Sequence, residues 1–241
     1  FDGYIVNVEL FKEPVENAYK KDPYRNNYLV VFEYSCDYFV RLIHINTLSE
    51  NINSQVEFRN PSSQHPTANP RIVVKKGDVI GTVGPHTFDF QIMDTKNPDK
   101  NILKPENIDP WTSITVDTFD YISDPLKSQL LAKNLRTRPP LGGKVGYDKE
   151  GTLLGNWFRV GRDEHSSPTD KNERNEYWTN NLSIVYDHLD ESQIRISLGN
   201  FDGYPKAFGV GGNAPDPKDI NKNSGLVKYE LYKFDYYKPD G

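Results

Sequence analysis

Along the first half of the chain, apolar and polar residues alternate in short runs separated by polar loops, the period-two signature of half-buried strands. GYIVNVELF (residues 3–11) predicts a strand bent at its glycine. NNYLVVFEYS (26–35) and DYFVRLIHI (37–45) predict a hairpin turning at Cys36-Asp37. Residues 50–70 hold Asn, Ser, Gln, His and three prolines, which reads as an irregular surface insertion. RIVVKKGDVIGTVG (71–84) reads as a further hairpin. Gly77-Asp78 is prone to a type I′ turn, Val73, Val74, Val79, Ile80 and Val83 pack on either side, and Gly81 and Gly84 permit a bend or close approach. FDFQIMD (88–94) follows as a strand, then a Pro/Asn/Lys-rich loop over 95–110.

The pattern changes at Asp124-Pro125, where Asp can cap free amides and Pro fits a first helical turn. Leu126, Leu130, Leu131 and Leu135 then share one face, predicting one short amphipathic helix over about 124–135. RTRPPLGGK (136–144) reads as a turn-rich connector. Beyond it come strands at TLLGNWFRV (152–160), NLSIVYDHL (181–189), QIRISLG (193–199), KAFGV (206–210) and LVKYELYKFDYY (226–237), with a charged loop at 163–176. Some five strands joined by polar turns predict a small antiparallel β-barrel or sandwich. The expected fold is all-β: a first domain at 1–120, helix and linker at 121–143, and a second domain at 144–241. FDGY recurs at Phe1 and Phe201 but is too short to count as a repeat.

Composition narrows the classes. The 241 residues are 36% hydrophobic and 12% aromatic, with 15 Tyr and 12 Phe, a balance suited to pleated surfaces. A net charge of -5 argues against a nucleic-acid partner, which needs a concentrated basic surface. Lys20-Lys21 and Lys75-Lys76 read as solvated turns. No apolar run approaches the ~20 residues of a membrane-spanning helix. The single cysteine, Cys36, forms no internal disulfide and leaves the compartment undecided. Lying in an alternating run, it is expected as a buried small hydrophobe, because a nucleophile needs a nearby base or cation and Asp37 works against a thiolate. The chain opens at Phe1 with no signal-like segment, which is read as a processed mature protein or a fragment.

Four runs occur in a telling order: FDGYIVNVE from Phe1, YFVRLIHI from Tyr38, VVKKGDVIGTVG from Val73 and GPHTFDFQI from Gly84. Together they resemble the lysostaphin-type, LytM-like zinc endopeptidases, whose core is a duplicated hybrid-motif, barrel-sandwich β-sheet; the resemblance covers about residues 1–94. The Val-x-x-Gly-Asp-x-Ile element also occurs in lipoyl and biotinyl domains. Those carry their cofactor on a Lys in a tight hairpin, whereas Asp99-Lys100 lies in a loop. The resemblance implies zinc held by an upstream His-x-x-x-Asp and by the second His of a His-x-His, with the first His of that pair and a Tyr-x-His-Leu histidine in catalysis.

This chain departs from that pattern. His44 matches the Tyr-x-His-Leu histidine, but Thr87 stands at the catalytic His and Asp89 at the zinc ligand. His86 comes one residue early, so on a strand it faces away from Asp89. The upstream motif would precede Phe1. Zinc takes three or four converging ligands, and Asp89 and His44 supply two. Asp89 otherwise faces water or pairs with Arg41. The expectation is a degenerate site, His44, Arg41, His86, Thr87 and Asp89, on a non-catalytic extracellular or periplasmic protein that binds envelope glycan or peptide. No cofactor is expected; the alternative is a zinc hydrolase completed by residues upstream of Phe1.

The second region offers weaker signals. LLGNWF (153–158) is similar to the Gly-x-Trp that opens lipocalin-like barrels, which leaves a small-molecule carrier as a further alternative; the simpler expectation is a core Trp157. Asp187-His188 and Asp190-Glu191 read as a polar turn rather than a metal cluster. Asp216 and Asp219, with Asn213, Asn221 and Asn223, are oxygen-rich enough for calcium but lack EF-hand spacing, so a Pro-Asp turn is expected. Aromatic rings beside Asp, Asn and Arg suit stacking on sugars.

Overall fold

The computed structural model describes residues 2–12, 26–84, 87–164, 166 and 178–233. Two compact units form, Phe1–Pro98 with Ile114–Thr118, and Asp99–Ser113 with Phe119–Gly241. The chain is all-β in character, with two antiparallel sheets and a few short helices. No described helix is long and apolar enough to cross a membrane.

The first unit holds β1 (Gly3–Lys12), β2 (Asn26–Glu33), β3 (Tyr38–Leu48), helix α1 (Glu50–Asn53), β4 (Thr67–Ala68), β5 (Ile72–Val74), β6 (Gly81–Val83), β7 (Asp89–Asp94) and β8 (Thr115–Val116). Their order is β4-β1-β2-β3-β7-β8, with β5 also on β1 and β6 also on β3. β2 and β3 form the expected hairpin. Cys36 sits in its turn and is exposed, contrary to the buried position expected, because alternation stops where the strands reverse. Residues 71–84 do not form a hairpin: β5 pairs with β1 and β6 with β3, on opposite sides of the sheet. At their link the Asp78 amide bonds the Lys75 carbonyl at 3.0 Å, and Gly77 alone has positive φ, +98°. That is the need of a type II turn rather than type I′.

Strict alternation would not build this core. Ile5 and Val8 of β1 are fully buried three residues apart, because an extra residue separates the Ile5–Phe32 and Asn7–Val31 pairs. β3 does this twice. Val40, Leu42 and Ile45 are buried and Leu48 packs against them, with extra residues between Leu42 and Ile45 and between Ile45 and Thr47. Each bulge resets which face the following residues present. The segment 50–70, expected as a surface insertion, instead sends Ile52 into the core, with Val56 and Phe58 against it.

The second unit holds α2 (Pro110–Ser113), α3 (Leu126–Leu131), β9 (Gly155–Phe158), β10 (Asn181–Tyr186), β11 (Ile194–Phe201), β12 (Tyr204–Val210) and β13 (Leu231–Lys233). These strands make one open sheet, β13-β12-β11-β10-β9; of the barrel or sandwich expected, no closed barrel forms among the described residues. Trp157 is correspondingly exposed, its indole donating to the Leu153 carbonyl at 2.9 Å. The expected helix is shorter than 124–135, and Leu126, Leu130 and Leu135 are exposed rather than packed. Asp124 does cap it, accepting from the Ser128 amide at 3.2 Å. Residues 99–113 join this unit through Asp148: its amide bonds the Asn101 carbonyl at 2.8 Å, and the Leu103 amide bonds its carboxylate at 2.9 Å.

The aliphatic core here is small: Ile184, Ile194, Ile196 and Val210. A polar anchor supplements it. Arg136, in the segment read as a connector, is 3% exposed. Its Nε donates to the Pro140 carbonyl at 2.6 Å, one terminal nitrogen to the His188 carbonyl at 2.8 Å, and the other to Glu191. The Tyr147 hydroxyl donates to the same Glu191 oxygen at 3.0 Å. Burial pushes the Glu191 carboxyl up, but the bonds from Arg136 and Tyr147 outweigh it and hold the group below its ordinary value.

Removing one partner of a buried pair strands the other charge. Arg136→Ala should therefore lower the stability of the second unit by about 3 kcal/mol in chemical denaturation; a loss within error would remove the anchoring role. Burial, then the Glu191 carboxylate, pushes Tyr147 from 10.0 up to about 12. The phenolate forms more readily in the unfolded chain, so this contribution is whole below pH 10, and is lost as pH rises to about 12. Thermal stability should fall across that window, and less steeply in Tyr147→Phe.

Candidate functional site

β3 and β7 run antiparallel with Ile43 opposite Asp89, Leu42 opposite Phe90 and Arg41 opposite Gln91. β6 occupies the same edge of β3 further along, with Val83 opposite Ile45. The chain therefore leaves that edge after Val83 and rejoins it at Asp89, with only His44 of β3 between the two registers. Opposite β2, Ile43 and His44 together face Leu29, the two-against-one arrangement of a bulge. His44 takes φ +70°, a left-handed conformation that a non-glycine residue holds at a cost on the order of 1 kcal/mol.

The bulge brings His44 onto the face that carries Asp89. His44 Nε2 lies 3.8 Å from Asp89 Oδ2, close enough for charge attraction but too long for a hydrogen bond. The side chains are 32% and 48% exposed, so the pair adds little stability and leaves both groups open to a ligand. Arg41 reaches Gln91 at 3.5 Å instead of pairing with Asp89. Thr87 is exposed just before β7, while His86 lies outside the described residues. Phe88 and Phe90 flank Asp89 in sequence, both exposed, with ring centroids 6.4 Å apart.

Of the five residues expected here, His44 and Asp89 are thus brought together and Arg41 lies two register pairs from Asp89, opposite Gln91. Among the described residues no group of three His, Cys, Asp or Glu side chains is placed to hold a metal. The site is a row of two donors, His44 and Arg41, against two acceptors, Asp89 and Gln91. Gln91 was missed in the sequence reading; its place two residues beyond Asp89 on a strand is the signal that would have found it.

The other polar clusters act as local structure. Asp187 accepts the Leu189 and Asp190 amides at 2.9 and 3.1 Å and Arg195 at 3.2 Å. Burial raises its carboxyl, but those amides outweigh it and hold the group below its ordinary value. Asp216 accepts the Tyr186 hydroxyl at 2.6 Å and the Lys218 amide at 3.1 Å, capping the turn at Pro217–Asp219. Comparison with family models, curated proteins and solved structures found no match.

The left-handed bulge gives a direct test. His44→Gly should keep the melting temperature or raise it, because glycine adopts positive φ freely. His44→Val should lose about 2 kcal/mol, since a β-branched residue is the least tolerant of that conformation. Equal stabilities would argue against the bulge.

Proposed function

We propose that this chain is a non-catalytic binding protein, acting outside the cytoplasm on envelope glycan or peptide, on a scaffold like that of the lysostaphin-type peptidases. The supporting observation is the exposed His44–Asp89 pair beside Arg41–Gln91. Paired donors and acceptors on one strand face suit the amides and hydroxyls of such a polymer, and Thr87 offers no general acid or base where the resemblance puts a histidine. The zinc hydrolase is the second reading, favoured by the approach of an imidazole and a carboxylate within 4 Å.

Sedimentation with insoluble envelope glycan, and titration with soluble glycan-peptide fragments in chelator, tests the first reading. Binding should persist without metal and fall about tenfold in His44→Ala and Asp89→Ala, as expected for losing a hydrogen-bonding partner of the ligand. Near-stoichiometric zinc lost in both variants, together with fragment cleavage, would replace it with the hydrolase.

A further inference from the structure

An open concavity of about 330 Å³ lies in the other unit, on the face of β10, β11 and β12 away from the aliphatic core. Its lining includes Trp178, Asn181, Ser183, Ser197, Gly199 and Lys206. The register explains the floor. Leu182, Ile184 and Ile196 turn to the core, so Ser183 and Ser197, directly opposite one another, share the other face. The wall depends on a glycine. A Cβ on Gly199 would run into the Trp178 carbonyl oxygen, so only glycine lets that residue lie against the sheet. The Trp178 carbonyl is held there by the Asn181 amide at 2.9 Å.

The described lining of this cavity is mostly uncharged. Among the described residues no carboxylate lines it, and the cation there, Lys206, has its ammonium 4.6 Å over the Phe201 ring. Ser183 donates to Asn156 at 2.7 Å, which commits its proton and leaves its oxygen as an acceptor. Asn181 Oδ1 is buried and accepts no hydrogen bond among the described residues. An apolar occupant would strand these groups, a cationic one would meet Lys206 and no carboxylate among the described residues, and an anionic one would have to draw Lys206 off the Phe201 ring. A compact ring bearing several hydroxyls satisfies them, with an aromatic residue beside it. We infer that this cavity is a binding site for a neutral monosaccharide ring, separate from the His44–Asp89 face and independent of the reading given to it.

Saturation-transfer NMR on the full chain tests the assignment with glucose, galactose and N-acetylglucosamine as neutral probes, glucuronate and glucosamine as charged ones, and cyclohexanol as an apolar one. At least one neutral sugar should bind saturably at millimolar concentration, ahead of the charged and apolar probes. Ser197→Ala, which keeps the backbone and creates no clash, should weaken it about fivefold by removing one hydroxyl partner. Ser197→Leu, with its fold checked by melting, should abolish it by filling the floor. Retained affinity in both Ser197 variants would overturn the proposal. So would loss confined to His44→Ala or Asp89→Ala, preference for a charged or apolar probe, or no saturable neutral-sugar binding.

Discussion

Much of the first unit turns on a single geometric constraint, the extra residue in β3 between Leu42 and Ile45. Side chains on a strand alternate strictly, so with Val40 and Leu42 turned inward Ile45 would face out. The bulge returns Ile45 to the core at 4% exposure, and the next one does the same for Leu48. Burying an isoleucine contributes about 2 kcal/mol, more than the roughly 1 kcal/mol of holding His44 left-handed, so the kink is favourable on balance. The same kink carries His44 to the face of Asp89. Core and candidate site are two consequences of one residue inserted in one strand.

The second unit meets a different difficulty, a sheet with four buried aliphatics at its centre. Arg136 ties the segment after α3 to the β10–β11 turn through Pro140, His188 and Glu191, and Tyr147 closes the network. Desolvating a guanidinium is costly, and such a network adds little net energy compared with apolar packing. Its value lies in direction: its hydrogen bonds fix which segments meet where a sparse core leaves the choice open. Asp148 plays the same part for residues 99–113.

What could be read from the chain follows the range of the interactions involved. The β2–β3 hairpin, the all-β character and the Asp124 cap rest on local alternation and capping, and they were legible. Bulges were not, because one inserted residue looks like ordinary sequence until its partner strand is known. Cys36 sat in an alternating run but at its turning point. The partners of β5 and β6 are distant in sequence, and Gly77-Asp78 looked like the turn of a hairpin those strands do not form. Asp202-Gly203 was legible but passed over: φ values of +55° and +83° between paired Phe201 and Tyr204 make it the type I′ turn that the dipeptide encodes. Arg136 looked like linker because two of its three partners, His188 and Glu191, lie more than fifty residues on.

The two candidate surfaces differ in chemistry as well as in place. The first presents an imidazole and a guanidinium beside a carboxylate and an amide, on a strand face where His44 and Asp89 are open to water and Arg41 and Gln91 are half-buried. Pairs in that setting contribute little to stability, so their contribution is to orientation and choice of partner. The second presents hydroxyls, a buried amide oxygen and the Trp178 wall, with Lys206 as the cation among its described residues, which suits groups that must be desolvated before they bind.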